Sequence, residues 1–170
     1  MKQLQKKIED RKTAGNYRFL KDTPADFTDF SSNDYLGLSK LNFHIDANLP
    51  HGSGGSRLLA GNYPLIEEVE SEIAQFHNAP SGLIFNSGYN ANLGVFSCIP
   101  QKGDTVLYDE LIHASVKDGL RLNYANNYAF KHNDLEALKN KLKKAAGSVY
   151  VVVEAVYSMD GDTAPLKALT

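Results

Sequence analysis

Val149-Tyr150-Val151-Val152-Val153 is an unbroken apolar, mostly β-branched run, and the chain turns polar within a few residues through Glu154, Tyr157, Ser158, Asp160 and Asp162. An apolar run without polar alternation predicts a strand buried on both faces, as in a parallel sheet covered by helices. Ligands of such sheets sit just beyond the carboxyl ends of the strands. The polar residues after Val153 therefore stand where chemistry is usually done.

The chain before this run alternates. A short amphipathic helix carries Leu4 and Ile8 and ends at Gly15. A turn at Thr23–Asp26, a short strand at Phe27–Ser32 and two loops, Ser31–Ser39 and His51–Gly61, follow. Asn62 and Pro64 open a helix with Leu65, Ile66, Val69, Ile73 and Phe76 on one stripe. Ser81–Phe85 reads as a strand, Asn86-Ser87-Gly88 as a tight turn and Tyr89–Cys98 as a helix. Thr105–Tyr108 is a further strand and Ile112–Leu122 a further helix. Asn133-Asp134-Leu135-Glu136 is a capping box opening a lysine-rich helix that Gly147 closes. This order predicts an α/β fold, a parallel-type sheet with helices on both faces in three layers.

Bulk properties narrow the function classes. A net charge of −2 argues against nucleic acid or an anionic membrane as the main partner. The amino terminus lacks the apolar core of a signal peptide, and no apolar run could span a bilayer. Cys98 stands alone, so no internal disulfide forms and a reducing, cytoplasmic setting is expected. Cys98 reads as core, and the five histidines show no metal-ligand spacing.

Three segments carry candidate chemistry. Gly52-Ser53-Gly54-Gly55-Ser56-Arg57 could cradle a phosphate, and it is similar to the start of a dinucleotide fingerprint. Arg57 stands where the third glycine belongs, and no strand leads in, which favours a plain turn. Leu83–Asn90 places a glycine turn and a helix start at the sheet's carboxyl edge, a natural phosphate seat; an ordinary strand-to-helix turn explains it equally well. His113 sits at another strand-to-helix junction, where a histidine is commonly a cap. Asp160-Gly161-Asp162 is too short for a calcium loop and reads as a turn.

Taken together and in order, Ser32-Asn33-Asp34-Tyr35-Leu36-Gly37-Leu38, Gly52-Ser53-Gly54-Gly55-Ser56-Arg57, Asn86-Ser87-Gly88-Tyr89, His113-Ala114-Ser115, His132-Asn133-Asp134-Leu135-Glu136 and Tyr157-Ser158-Met159-Asp160-Gly161-Asp162 resemble the α-oxoamine synthases. These are pyridoxal 5′-phosphate enzymes of the aspartate-aminotransferase type of fold. The resemblance runs from about Arg11 to the end and is greatest to the biotin-pathway members.

The resemblance implies a homodimeric acyltransferase that joins an amino acid to an acyl-CoA with loss of carbon dioxide, here L-alanine and a pimeloyl thioester. Glycine-using and serine-using relatives are the alternatives within the family. It further implies that Gly88 and Tyr89 hold the cofactor phosphate and that His113 lies on the pyridine ring and assists with substrate protons. Ser158 reaches the cofactor's phenolic oxygen, and Arg18 and Asn33 sit on the substrate side. A guanidinium suits a carboxylate. Residues 1–45 become an amino-terminal helix and substrate-side segment, and 46–170 the first part of the cofactor-binding domain.

Two departures qualify the match. The family's cofactor-binding lysine and the aspartate that pairs with the pyridine nitrogen are missing, and Lys167, in a helix-like segment, is no substitute. The chain therefore reads as an amino-terminal piece, inactive alone. The Ser39–Gly52 link is also shorter than the family's. Outside the family, a dinucleotide-binding oxidoreductase domain and a non-catalytic module with an open sheet edge are the competing readings.

Overall fold

The protein is described by a computed structural model covering residues 2–20, 22, 24, 27–44, 46 and 48–170. The chain divides into two compact units, Met1–His51 and Gly52–Thr170.

In the first unit, helix α1 spans Lys2–Thr13, and Gly15 ends it at a positive φ of 68°, where a missing Cβ relieves strain. Of the expected turn at Thr23–Asp26, Thr23, Ala25 and Asp26 lie outside the described residues. The expected strand at Phe27–Ser32 is not formed. Asp29 Oδ1 instead accepts from the backbone N–H of Ser31 at 2.8 Å and of Ser32 at 3.1 Å, a local turn that competes with strand pairing. Those donors lower the Asp29 carboxyl to about 2.

The second unit is built on a parallel sheet. Strands β1 (Thr105–Asp109), β2 (Asn126–Phe130) and β3 (Val149–Val152) lie in the order β2-β1-β3, both pairings parallel and in register from Thr105. Alternation along β1 sorts the core into two layers. Val106 packs with Ile112, Val116 and Leu120 under helix α4 (Ala114–Leu120), which lies against α3 (Gly88–Cys98). Leu107 faces the opposite way and packs with Phe130 and with Leu138 of α5 (Leu135–Leu142). Helices on both faces of a parallel sheet are the three-layer arrangement the alternation predicts. A further short helix, α6, spans Leu166–Leu169.

Several expectations change. The strand buried on both faces is β1, at the sheet's centre; β3 is at the edge, with Val149 and Val151 each 41% exposed. Hydrophobicity records what a strand can bury, not which neighbours cover it. Ser81–Phe85 forms no strand, and the N–H of Ile84 donates to Glu70 Oε1 at 2.8 Å. Helix α2 spans Pro64–Phe76 with Tyr63, not Asn62, at its N-cap, because the Asn62 side chain bonds Arg57 and Glu67. Its buried residues are Glu70 and Ala74, whereas Ile73 and Phe76 of the expected stripe are exposed. The cap of α5 is Asp134 alone, accepting from Ala137 N–H, so the residue in capping-box register is Ala137 and not Glu136. Cys98 is exposed, its thiol donating to the Gly94 carbonyl. Among the described residues no helix is long and apolar enough to cross a membrane.

Candidate functional site

Two helix starts and one turn assemble around the carboxyl ends of the strands. The first is α3. Ser87 caps it with a side-chain oxygen that accepts from Asn90 N–H at 3.1 Å, and its carbonyl accepts from Ala91 N–H. Among the described residues the Gly88 and Tyr89 N–H groups have no acceptor. Unpaired first-turn donors and the positive end of a helix dipole favour an anion. Gly88 is not required by its backbone, since its φ lies outside the left-handed region, and a Cβ there would meet nothing within 4 Å. The Cβ side of Gly88 is therefore open.

The second start is α4, which His113 caps: its Nδ1 accepts from Ser115 N–H at 3.2 Å. The cap and the junction-site readings of this histidine thus coincide. Its ring meets the Tyr89 ring edge-on, centroids 6.2 Å apart at 79°. Tyr89 is held by its hydroxyl, which donates to Asp118 on α4. That bond raises the Tyr89 phenol and lowers the Asp118 carboxyl, the latter also bound by Arg121 at 2.5 Å, so the phenol stays protonated. The backbone N–H of His113 donates to Glu154, which ties the tip of β3 to the start of α4.

The turn carrying Ser158 follows Glu154. Gly161 N–H donates to the Tyr157 carbonyl at 2.8 Å and Tyr157 N–H to the Asp162 carbonyl at 2.9 Å, which closes the turn and leaves Ser158 exposed. Its base is a half-buried polar cluster around the fully buried Asp109. His132 bridges Asp109 Oδ1 through Nδ1 at 2.9 Å and Asp162 Oδ2 through Nε2 at 2.7 Å. Tyr157, 2% exposed, packs edge-on against His132 with centroids 4.5 Å apart. Its burial pushes the phenol up to about 12. Burial alone would raise the Asp109 carboxyl, but donors from Asn133, Leu111 and His132 outweigh it and hold it low. Asp109 and then Asp162 raise the His132 imidazole.

Gly88, Tyr89 and His113 therefore stand together, and Ser158 sits on a turn whose stem reaches His113 through Glu154. Arg18 and Asn33 belong to the first unit, where both are exposed; Asn33 Oδ1 accepts weakly from Tyr35 at 3.4 Å. Arg57 does not face a phosphate. It grips Glu70 with two nitrogens at 2.6 and 2.9 Å, and it follows a segment without a strand. The dinucleotide reading thereby loses its physical basis. Reading the sequence missed Asp109, Asp118, His132 and the Asn92–Ser115 pair as partners. The available signal was position for all but Asn92: Asp109 and His132 lie at or just past the end of a strand, and Ser115 and Asp118 on the helix that follows β1.

Comparison with known proteins agrees with this geometry. A family model described as aminotransferase class I and II matches residues 25–170. The chain is 47% identical over 165 residues to the 8-amino-7-oxononanoate synthase of Emericella nidulans, a match covering 85% of this chain and 40% of that protein. Among solved structures, 8-amino-7-oxononanoate synthase from Francisella tularensis is similar at a TM-score of 0.66 and 30% identity, over 86% of this chain and 42% of that one. Serine palmitoyltransferase from S. paucimobilis, with PLP and myriocin bound, is similar at 0.65 and 40% identity, over 68% of this chain and 30% of that one. The chain thus spans less than half the length of the relatives it matches.

Proposed function

The chain belongs to the aminotransferase class I and II family, with α-oxoamine synthases as its relatives, and on that premise we propose that it forms part of a pyridoxal-phosphate-dependent C-acyltransferase. The reaction condenses L-alanine with a pimeloyl thioester of CoA, with decarboxylation, in biotin synthesis in the cytoplasm. The intact protein works as a homodimer, and this stretch alone is inactive.

The observation that carries the proposal is the open start of α3 at Gly88, set beside the Tyr89–His113 ring pair. The Gly88 and Tyr89 N–H groups hold the cofactor phosphate, and no Cβ intrudes on it. His113, whose ring is exposed, would hold the cofactor ring and handle substrate protons. Ser158 would donate to the phenolic oxygen of the cofactor. Arg18 and Asn33 orient the amino-acid carboxylate. The chemistry a bound pyridoxal ring supplies is an electron sink for charge developing beside the amino group; the residues named here bind, orient and manage protons. Residues 1–45 supply the substrate side and 46–170 the first part of the cofactor domain.

The test uses Gly88→Asp. An aspartate in the first turn favours the helix itself, so folding is retained, while its charge opposes a phosphate. Titration of the apoprotein with pyridoxal 5′-phosphate, followed by tyrosine fluorescence, is expected to show affinity about tenfold weaker for the variant. Equal affinities would overturn the assignment.

The 40% identity to serine palmitoyltransferase favours a second reading, a serine-using acyltransferase. A visible-band shift of the cofactor-loaded protein with L-serine but not L-alanine would select it.

A further inference from the structure

The proposed role of His113 leaves open what holds its ring and which nitrogen carries its proton. Nδ1 is engaged twice by one residue: Ser115 N–H points at it from 3.2 Å and Ser115 Oγ lies 2.6 Å away. The Ser115 side chain has no solvent exposure. Its oxygen accepts in turn from Asn92 Nδ2, at 3.0 Å, on helix α3. An amide nitrogen can only donate, so Asn92 fills one of the serine's two lone pairs; the Ser115 N–H aimed at Nδ1 makes that nitrogen an acceptor, and the serine hydroxyl proton turns to it. A proton on Nδ1 would then confront both that hydroxyl and the Ser115 N–H.

Close packing makes the chain of bonds possible. A Cβ at Gly119 of α4 would meet Phe96 Cβ at 2.9 Å and the Asn92 carbonyl oxygen at 3.1 Å, so α3 and α4 approach at a distance only glycine permits. Ser115 and Asn92 come within reach of each other there.

We infer that Asn92 and Ser115 are positioning residues that act through His113, fixing its neutral ring with Nδ1 as acceptor and Nε2–H turned outward as the donor. The inference rests on His113 being the ring-side residue of the proposed site. It adds a coupling: Asn92 lies one turn along the same helix whose first N–H groups meet the phosphate. The helix that seats the phosphate also sets the tautomer of the ring beside it.

Two variants and one spectroscopic readout test it. Long-range proton–nitrogen correlation spectra of the full-length protein labelled with nitrogen-15 in histidine report which ring nitrogen of His113 is protonated. The unmodified protein is expected to show the Nε2–H form in excess of about tenfold, the ratio one net hydrogen bond sustains. Asn92→Asp keeps the shape but replaces the donor by an acceptor, draws the serine proton away and is expected to shift His113 toward Nδ1–H. Ser115→Ala is expected to give a mixture of both forms. An unmodified protein already in the Nδ1–H form, or variants with unchanged tautomer ratios, would overturn the inference. Pyridoxal 5′-phosphate is then added. Unmoved His113 resonances together with the expected tautomers would count against the site proposal alone. Moved resonances with unaltered tautomers in the variants would count against this inference alone.

Discussion

His132 Nδ1 lies 2.9 Å from Oδ1 of Asp109, a carboxylate with no solvent exposure at the carboxyl end of the central strand. The same ring reaches Asp162 through its other nitrogen at 2.7 Å, so the imidazolium form donates to two carboxylates at once. The pair fastens the Ser158 turn to the sheet. Because both partners favour the charged ring, the His132 pKa is raised. A raised folded pKa gives stability that is complete below the unfolded value, about 6.5, and fades as pH climbs through the folded value. Urea midpoints of the protein are therefore expected to fall between pH 6 and pH 9, and that slope is expected to flatten in His132→Gln. Parallel pH curves for the two proteins would contradict the role given to the bridge.

The Arg57–Glu70 fork titrates with the opposite sign. Arg57, and then Ile84 N–H, lower the Glu70 carboxyl to about 2. A depressed pKa contributes stability that is present above the unfolded value, near 4.5, and is lost as pH falls toward 2. Lysine cannot reproduce the two parallel bonds of a guanidinium. Arg57→Lys is expected to move the midpoint of acid unfolding, followed by circular dichroism, to higher pH, with little change at pH 7. An unaltered acid midpoint would show that the loop is held by something else.

Legibility in the sequence followed locality. The parallel α/β order, the cap position of His113 and the turn at Asp160-Gly161-Asp162 were readable because each depends on neighbours along the chain. Val149–Val152 is not buried on both faces, because an apolar pattern carries no record of which strand becomes its neighbour. Ser81–Phe85 has strand composition but lacks a pairing partner among the described residues, and Glu70 takes its Ile84 N–H. The polar cluster was invisible for the same reason. Asp109 and His132 are 23 positions apart and His132 and Asp162 are 30 apart, with no local spacing to join them. Only the parallel topology, which carries each strand's end to one edge, brings them together.

The position of β1 between its neighbours sets a difference in mutational cost. Leu107 is 1% exposed and packs with Phe130 and Leu138. Leu107→Ala leaves a cavity there and is expected to cost about 2–5 kcal/mol in urea unfolding. Val151, two strand positions from the loop on the sheet edge, is 41% exposed. Val151→Ala is expected to cost roughly 0.5 kcal/mol or less. Equal losses at the two positions would place the core elsewhere than around the central strand.

Gly147 is the residue through which the α5-to-β3 connection passes the loop before β1. Its φ is 68°, and a Cβ on it would come within 2.4 Å of the Gly103 carbonyl oxygen. Gly161 shares the left-handed backbone, at 73°, but a Cβ there would meet nothing within 4 Å. The two glycines separate a conformational cost from a steric one. Gly161→Ala carries only the left-handed cost, about 1 kcal/mol. Gly147→Ala adds a collision with backbone that must move both loops, and is expected to exceed it by about 1–3 kcal/mol. Guanidinium unfolding of the two variants checks the difference. Matching stabilities would mean that the loops at Gly103 and Gly147 part without cost, and that their contact does not fix where β3 begins to pair with β1.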